Sequence, residues 1–204
     1  NNKNYIRRTL MGIHHITHID NLTGIIETGL KSRNSLKETE YVDTADEKII
    51  EKRDGLNSYV PFHIDMLQRN HGIDYNHVVI KKYGKENMIF LIKKIYRTTD
   101  KSIYCLYHPT SRYCKNHYKS YPAFNKDFKI EYKDLPQNQY GPDYSNNRVQ
   151  KFFASEILIR DHVEIDDIST IYVYDDEAGE RVVDKLDSND IRHIEVLVNP
   201  LFYR

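Results

Sequence analysis

The chain has 204 residues, and its 30 basic and 30 acidic side chains cancel to zero net charge. That length suits one domain with a sizeable core, and the zero balance removes the basic-surplus argument for nucleic-acid binding without excluding charge segregated by face. No run of ~18 apolar residues suggests a membrane span, no signal peptide is visible, and the two cysteines, Cys105 and Cys114, are too few for a disulfide framework or a zinc site, so reduced thiols in a cytoplasm are expected.

In chain order, Ile13 to His18 predicts a short strand. Asp20 then stands as a helix N-cap, Leu22, Ile25 and Ile26 form one apolar helix face, and Gly29 supplies the stop. His14, His15 and His18 crowd this segment, but their spacing is not the helical i, i+4 metal pattern and no Cys or Glu completes a set, so no metal is expected. Ala45 to Arg53 predicts a helix, ended by Gly55 and Asn57–Ser58. Tyr59 to Ile64 predicts a strand, with Pro61 favouring an edge or a strand start. His77 to Lys81 and Ile103 to His108 predict further strands. Asn87 to Ile95 fits either a buried strand or a short helix. Residues 109–147 carry prolines and scattered tyrosines with little periodicity, and a tract this long is usually functional. Ser145 caps a turn or two before the next strand. Ile168 to Tyr174 predicts a strand, Asp175 to Leu186 a helix and His193 to Val198 a last strand. No repeat or linker divides residues 1–204, so a single α+β domain is expected.

One residue stands out. Glu156 sits inside Ala154–Ser155–Glu156–Ile157–Leu158–Ile159, an apolar strand pattern. An unpaired buried carboxylate is costly, so Glu156 either reaches water at a strand end or has a partner and a task inside.

Four segments in order carry a resemblance: His14–His15–Ile16–Thr17–His18 with Gly29–Leu30; Glu51–Lys52–Arg53 followed by Tyr59–Val60–Pro61–Phe62; the Glu156 strand; and the closing Val196 to Tyr203. Together they resemble the DarT-type family of DNA ADP-ribosyltransferase toxins, over nearly the whole chain. The resemblance implies an ADP-ribosyltransferase-like fold of split central β-sheets with flanking short helices. It implies NAD as ADP-ribose donor, no metal, and transfer to a guanine or thymine base of single-stranded DNA. Tyr59–Val60–Pro61–Phe62–His63 leans the base towards guanine. It further implies a bacterial cytoplasmic toxin whose partner is a macrodomain antitoxin that removes the mark.

By the same resemblance, Glu156 faces the oxocarbenium-like cation formed when nicotinamide leaves. Arg53 lies beside the NAD phosphates, its guanidinium suited to clamping and orienting rather than to taking protons. His15, Thr17 and Asn21 are expected in the NAD pocket, where imidazole, hydroxyl and amide supply directional hydrogen bonds. His108, Tyr140, Tyr144 and Arg148 are expected on the substrate side, where tyrosine rings can stack on bases. Two alternatives remain: the same chemistry on RNA or protein, and a degenerate NAD-fold domain that only binds.

Overall fold

The computed structural model describes residues 12–36, 41–44, 52–53, 55–64, 80–94 and 101–203. In chain order the elements are β1 (Gly12–His18), a 3-10 turn (Ile19–Asn21), α1 (Leu22–Thr28), β2 (Leu30–Lys31), β3 (Tyr59–His63), β4 (Met88–Lys94), β5 (Ser102–Cys105) and β6 (His117–Tyr118). They continue with α2 (Tyr121–Lys133), β7 (Gln137–Asn138), β8 (Gly141–Pro142), α3 (Asn147–Phe153), β9 (Glu156–Arg160), β10 (His162–Val163), β11 (Ile168–Val173), α4 (Asp176–Asp187) and β12 (Glu195–Val198). The class is α+β.

Eight strands form one sheet in the order β12-β11-β4-β1-β3-β9-β5-β6. Its strands pair antiparallel except β11 and β12, which are parallel and joined by α4, the helical crossover that parallel neighbours require. The sheet has a seam. β1 pairs with β4 along all of Gly12–His18, and β3 pairs with β9 from Tyr59 to His63. Between β1 and β3, however, the register holds only His14 opposite His63. The two half-sheets part beyond that pair, which gives the split character its physical form.

Both faces are covered, so the central strands are apolar on both sides. Ile89 and Leu91 of β4 face a core shared with Phe124, Phe128, Phe152 and Ile157. Met88, Phe90 and Ile92 face a smaller cluster closed by Tyr203. The Tyr203 hydroxyl lies 2.8 Å from the Met88 carbonyl and 2.9 Å from that of Tyr172, so the buried phenol is satisfied.

Several local expectations are corrected. The first turn is capped by His18, whose Nδ1 accepts from the Asp20 N–H at 3.2 Å, rather than by Asp20. Asn146, not Ser145, caps α3 by accepting from the Arg148 N–H at 2.9 Å. Residues 80–83 are helical and not the end of a strand; 77–79, and 45–51 of the expected helix, lie outside the described residues. The largest difference is α2, 13 residues long within the tract expected to be irregular. Pro122 sits in its first turn, where no N–H is needed, and Phe124 and Phe128, four apart, bury one face. Gly29 does end α1, at φ +79°, where an added Cβ would lie 3.0 Å from the Val163 carbonyl oxygen.

Candidate active site

Glu156 opens β9 opposite His63 of β3 and Cys105 of β5. Its side chain is fully buried. Arg53 supplies the partner: Nη2 spans both carboxylate oxygens at 2.5 and 2.6 Å. His108 Nε2 stands 3.6 Å from Oε1 and His63 Nδ1 3.9 Å from it. Burial pushes the Glu156 carboxyl up, but the charges of Arg53, His63 and His108 outweigh it and hold the group below the ordinary carboxylate range. The buried group is therefore an anion, held by a cation whose own side chain is mostly covered.

His15 occupies the parting between β1 and β3. Its Nδ1 lies 2.8 Å from the Pro61 carbonyl, which can only accept, so Nδ1 carries the proton. Burial pulls the imidazole down from 6.5 to about 4; the Pro61 bond and the Glu156 charge oppose this, while His63 and Arg53 add to it. At neutral pH the ring is uncharged, and Nε2 is left as a lone-pair acceptor. His108 is the converse. Its Nδ1 lies 3.3 Å from the Thr110 N–H, which it accepts. Its proton therefore sits on Nε2, towards Glu156. Burial lowers this imidazole too, against the pull of Glu156.

These groups line one cleft of about 200 Å³. Its lining brings together His15, Thr17, Asn21, Arg53, His108 and Glu156, residues separated by up to 141 positions. Strand parity alone would set His15 on the other face from its neighbour His14; the parting of the strands is what admits it. Asn21 does not simply present its amide to the cleft. Nδ2 donates to Thr17 Oγ1 and to the Val42 carbonyl, both at 2.9 Å, and Oδ1 accepts from the Val42 N–H at 2.8 Å. The amide thereby fixes the strap of residues 41–44 along the cleft wall. A second anchor is Arg33, which grips Asp43 at 2.7 and 2.9 Å.

The remaining expected residues lie away from this lining. Tyr140, 89% exposed, tops the β7–β8 hairpin. Tyr144 stacks on Phe153 with centroids 4.9 Å apart. Arg148 is engaged with Glu131, and its Nε also donates to the Tyr107 hydroxyl at 2.9 Å. His63 is the residue that sequence reading passed over. Its signal was antiparallel matching: β3 ends at His63 where β9 starts at Glu156.

Residues 14–204 match a family model described as "ssDNA thymidine ADP-ribosyltransferase, DarT". No curated protein matches. Among solved structures, a Thermus sp. 2.9 DarT in complex with ADP-ribosylated ssDNA is 21% identical, with 96% of this chain and 97% of that one covered and a TM-score of 0.77. The same protein in complex with NAD+ gives 19% identity, 96% and 98% coverage and a TM-score of 0.74. Thermosipho africanus DarTG in complex with ADP-ribose gives 20% identity and a TM-score of 0.70, covering 95% of this chain and 51% of that one. At these identities the structural likeness speaks for the fold.

Proposed function

The chain belongs to the DarT family of ssDNA thymidine ADP-ribosyltransferases, and we propose how its own residues carry out the reaction. It is an NAD-dependent mono-ADP-ribosyltransferase that acts on single-stranded DNA. The carrying observation is the buried Glu156 anion, braced by Arg53 in the cleft that His15 also lines.

NAD lies in the cleft, with its adenosine ribose against β1. His15 Nε2 accepts a hydrogen bond from a ribose hydroxyl there, and Thr17 and the Asn21-held strap close the wall. The bond between C1′ of the other ribose and nicotinamide nitrogen breaks, and its electron pair leaves with nicotinamide as a neutral molecule. The positive charge that builds on C1′ and the ring oxygen faces the Glu156 carboxylate, which also holds the 2′-hydroxyl. Arg53 keeps that carboxylate fixed and brings its permanent positive charge to the pyrophosphate. A base nitrogen then bonds to C1′ from the open side and gives up its proton, for which Glu156 is the placed anion. His108 donates its Nε2–H towards Glu156 and acts as a positioning residue.

The family's description favours thymine as the base. Single strands suit this site, since a base already unpaired needs no energy to be swung out. Tyr140, exposed on its hairpin, offers a ring for a neighbouring base. The DarTG relative and the family's toxin resemblance support a bacterial cytoplasmic toxin with a macrodomain antitoxin. Among the described residues no helix is long and apolar enough to cross a membrane.

The test uses wild type and Glu156→Ala with NAD and single-stranded oligonucleotides that each contain one kind of base. A mass increase of one ADP-ribose on the thymine oligonucleotide alone, absent with the variant, is the expected result. Modification of guanine would correct the base. Labelling of RNA or protein instead, or intact NAD throughout, would overturn the reading.

A further inference from the structure

Beyond the cleft, one cluster is used by nothing above. β5 and β6 pair so that Cys105 lies opposite His117, and cross-strand partners share a sheet face. Between them the chain leaves and returns through tight turns, with Ser111 N–H donating to the His108 carbonyl at 2.8 Å and Cys114 N–H to the Ser111 carbonyl at 3.0 Å. These turns deliver Cys114 to the same spot. A ligand atom from each of Cys105, Cys114 and His117 lies within 4.8 Å of the other two.

We propose that Cys105 Sγ, Cys114 Sγ and a ring nitrogen of His117 bind a zinc-class divalent cation that clips together the two ends of the loop 106–116. Tetrahedral zinc, with bonds of about 2.3 Å to sulfur and about 2.0 Å to nitrogen, needs its ligand atoms roughly 3.5–3.8 Å apart. Small side-chain adjustments reach that from the observed arrangement. Two thiolates and an imidazole select zinc over the oxygen-seeking magnesium and calcium. Burial is graded: Cys105 is buried, Cys114 half-buried and His117 exposed. The fourth position therefore opens to solvent, where water completes the set. Sequence spacing concealed the site, because C-x8-C-x2-H becomes a cluster only when β6 folds back on β5.

The cation would be structural and would take no part in the transfer. Its consequence is mechanical. The clipped loop carries Tyr107, held at φ +78°, and His108, whose Nε2 stands 3.6 Å from Glu156. The link to His108 rests on the proposed function; cation binding does not.

The test strips the reduced whole protein of metal with a chelator and titrates in cobalt(II), then zinc. One cobalt per chain should bind with thiolate charge-transfer absorption in the near ultraviolet and tetrahedral bands in the visible, all displaced by zinc. Cys114→Ser should remove about half of the charge-transfer intensity. His117→Ala, at an exposed position that the fold tolerates, should weaken binding at least ~10-fold, the lower end of what even outer-shell partners cost. Trypsin cleavage at Arg112 and Lys115, both exposed in the loop, should slow when zinc is present. Cobalt that binds without a thiolate band, or bands that neither substitution changes, would each overturn the site. None of these readouts involves NAD, so their failure leaves the transferase reading standing.

Discussion

Replacing Glu156 with Gln keeps the shape of the side chain and removes its charge, so it isolates what the anion does. A unit charge about 4 Å from the developing cation, at an effective dielectric near 20, is worth ~4 kcal/mol. That corresponds to a roughly thousandfold loss of rate. Stability should respond separately. The Arg53 guanidinium bonds both carboxylate oxygens at 2.5 and 2.6 Å, and removing one partner of a buried pair costs ~3 kcal/mol or more. A second substitution, Arg53→Gln, removes the stranded cation. The double variant should thus regain much of the lost stability while staying as inactive as Glu156→Gln. The assays are adduct formation on a thymine oligonucleotide at saturating NAD, and urea unfolding at pH 7. If Glu156→Gln keeps more than a tenth of the wild-type rate, the charge is not what the transition state uses. If the double variant is less stable than either single one, the pair is not the buried couple described.

Other outcomes follow from the same geometry. His15 titrates near 4 when folded and near 6.5 when unfolded. Between those values the unfolded chain binds a proton that the folded chain refuses, so stability falls as pH falls through that window. The loss from His15 is about 2 kcal/mol by pH 5, and His15→Gln should flatten the slope in urea unfolding between pH 7 and 5. Asn21→Ala frees the strap at Val42, so the KM for NAD should rise about tenfold with kcat changed less than threefold, an expected binding loss near 1.4 kcal/mol; a fall in kcat with KM unchanged would place Asn21 in the chemistry instead. Tyr140→Ala should leave the melting temperature unchanged and raise the KM for the oligonucleotide by ~1–2 kcal/mol, about 5–30-fold. Arg148→Ala should do the reverse, costing about 1–2 kcal/mol of stability through its bonds to Glu131 and Tyr107. Equal effects at both positions would place Arg148 on the DNA.

Much of this was readable from residue order. Period-two patterning found β9 and the anomaly of Glu156 within it, and Asp175, which accepts from the Ala178 N–H at 2.9 Å, marked the start of α4. What escaped depends on pairing between distant segments. His63 becomes a site residue through its register with Glu156, a relation that no local window contains. The helix α2 escapes a local reading because its six polar or charged residues and first-turn proline mask the Phe124–Phe128 spacing. Asn21 lines the cleft as expected from the sequence, but its hold on the Val42 backbone is not legible there, since a side chain's partner is set by whichever loop the fold brings past it.

The seam between β1 and β3 has a consequence for how activity arises during folding. One half-sheet holds His15, Thr17 and the neighbouring Asn21; the other holds Glu156, with His108 just beyond β5. With a single residue pair bridging the halves in the sheet, neither gains a complete cleft from its own local contacts. Contacts between residues this far apart in sequence form late, because the chain entropy of closing long loops must be overcome first. The cleft is therefore complete only when both half-sheets have formed and met: β9 in place without β1 beside β3 presents the carboxylate without the His15 wall that faces it.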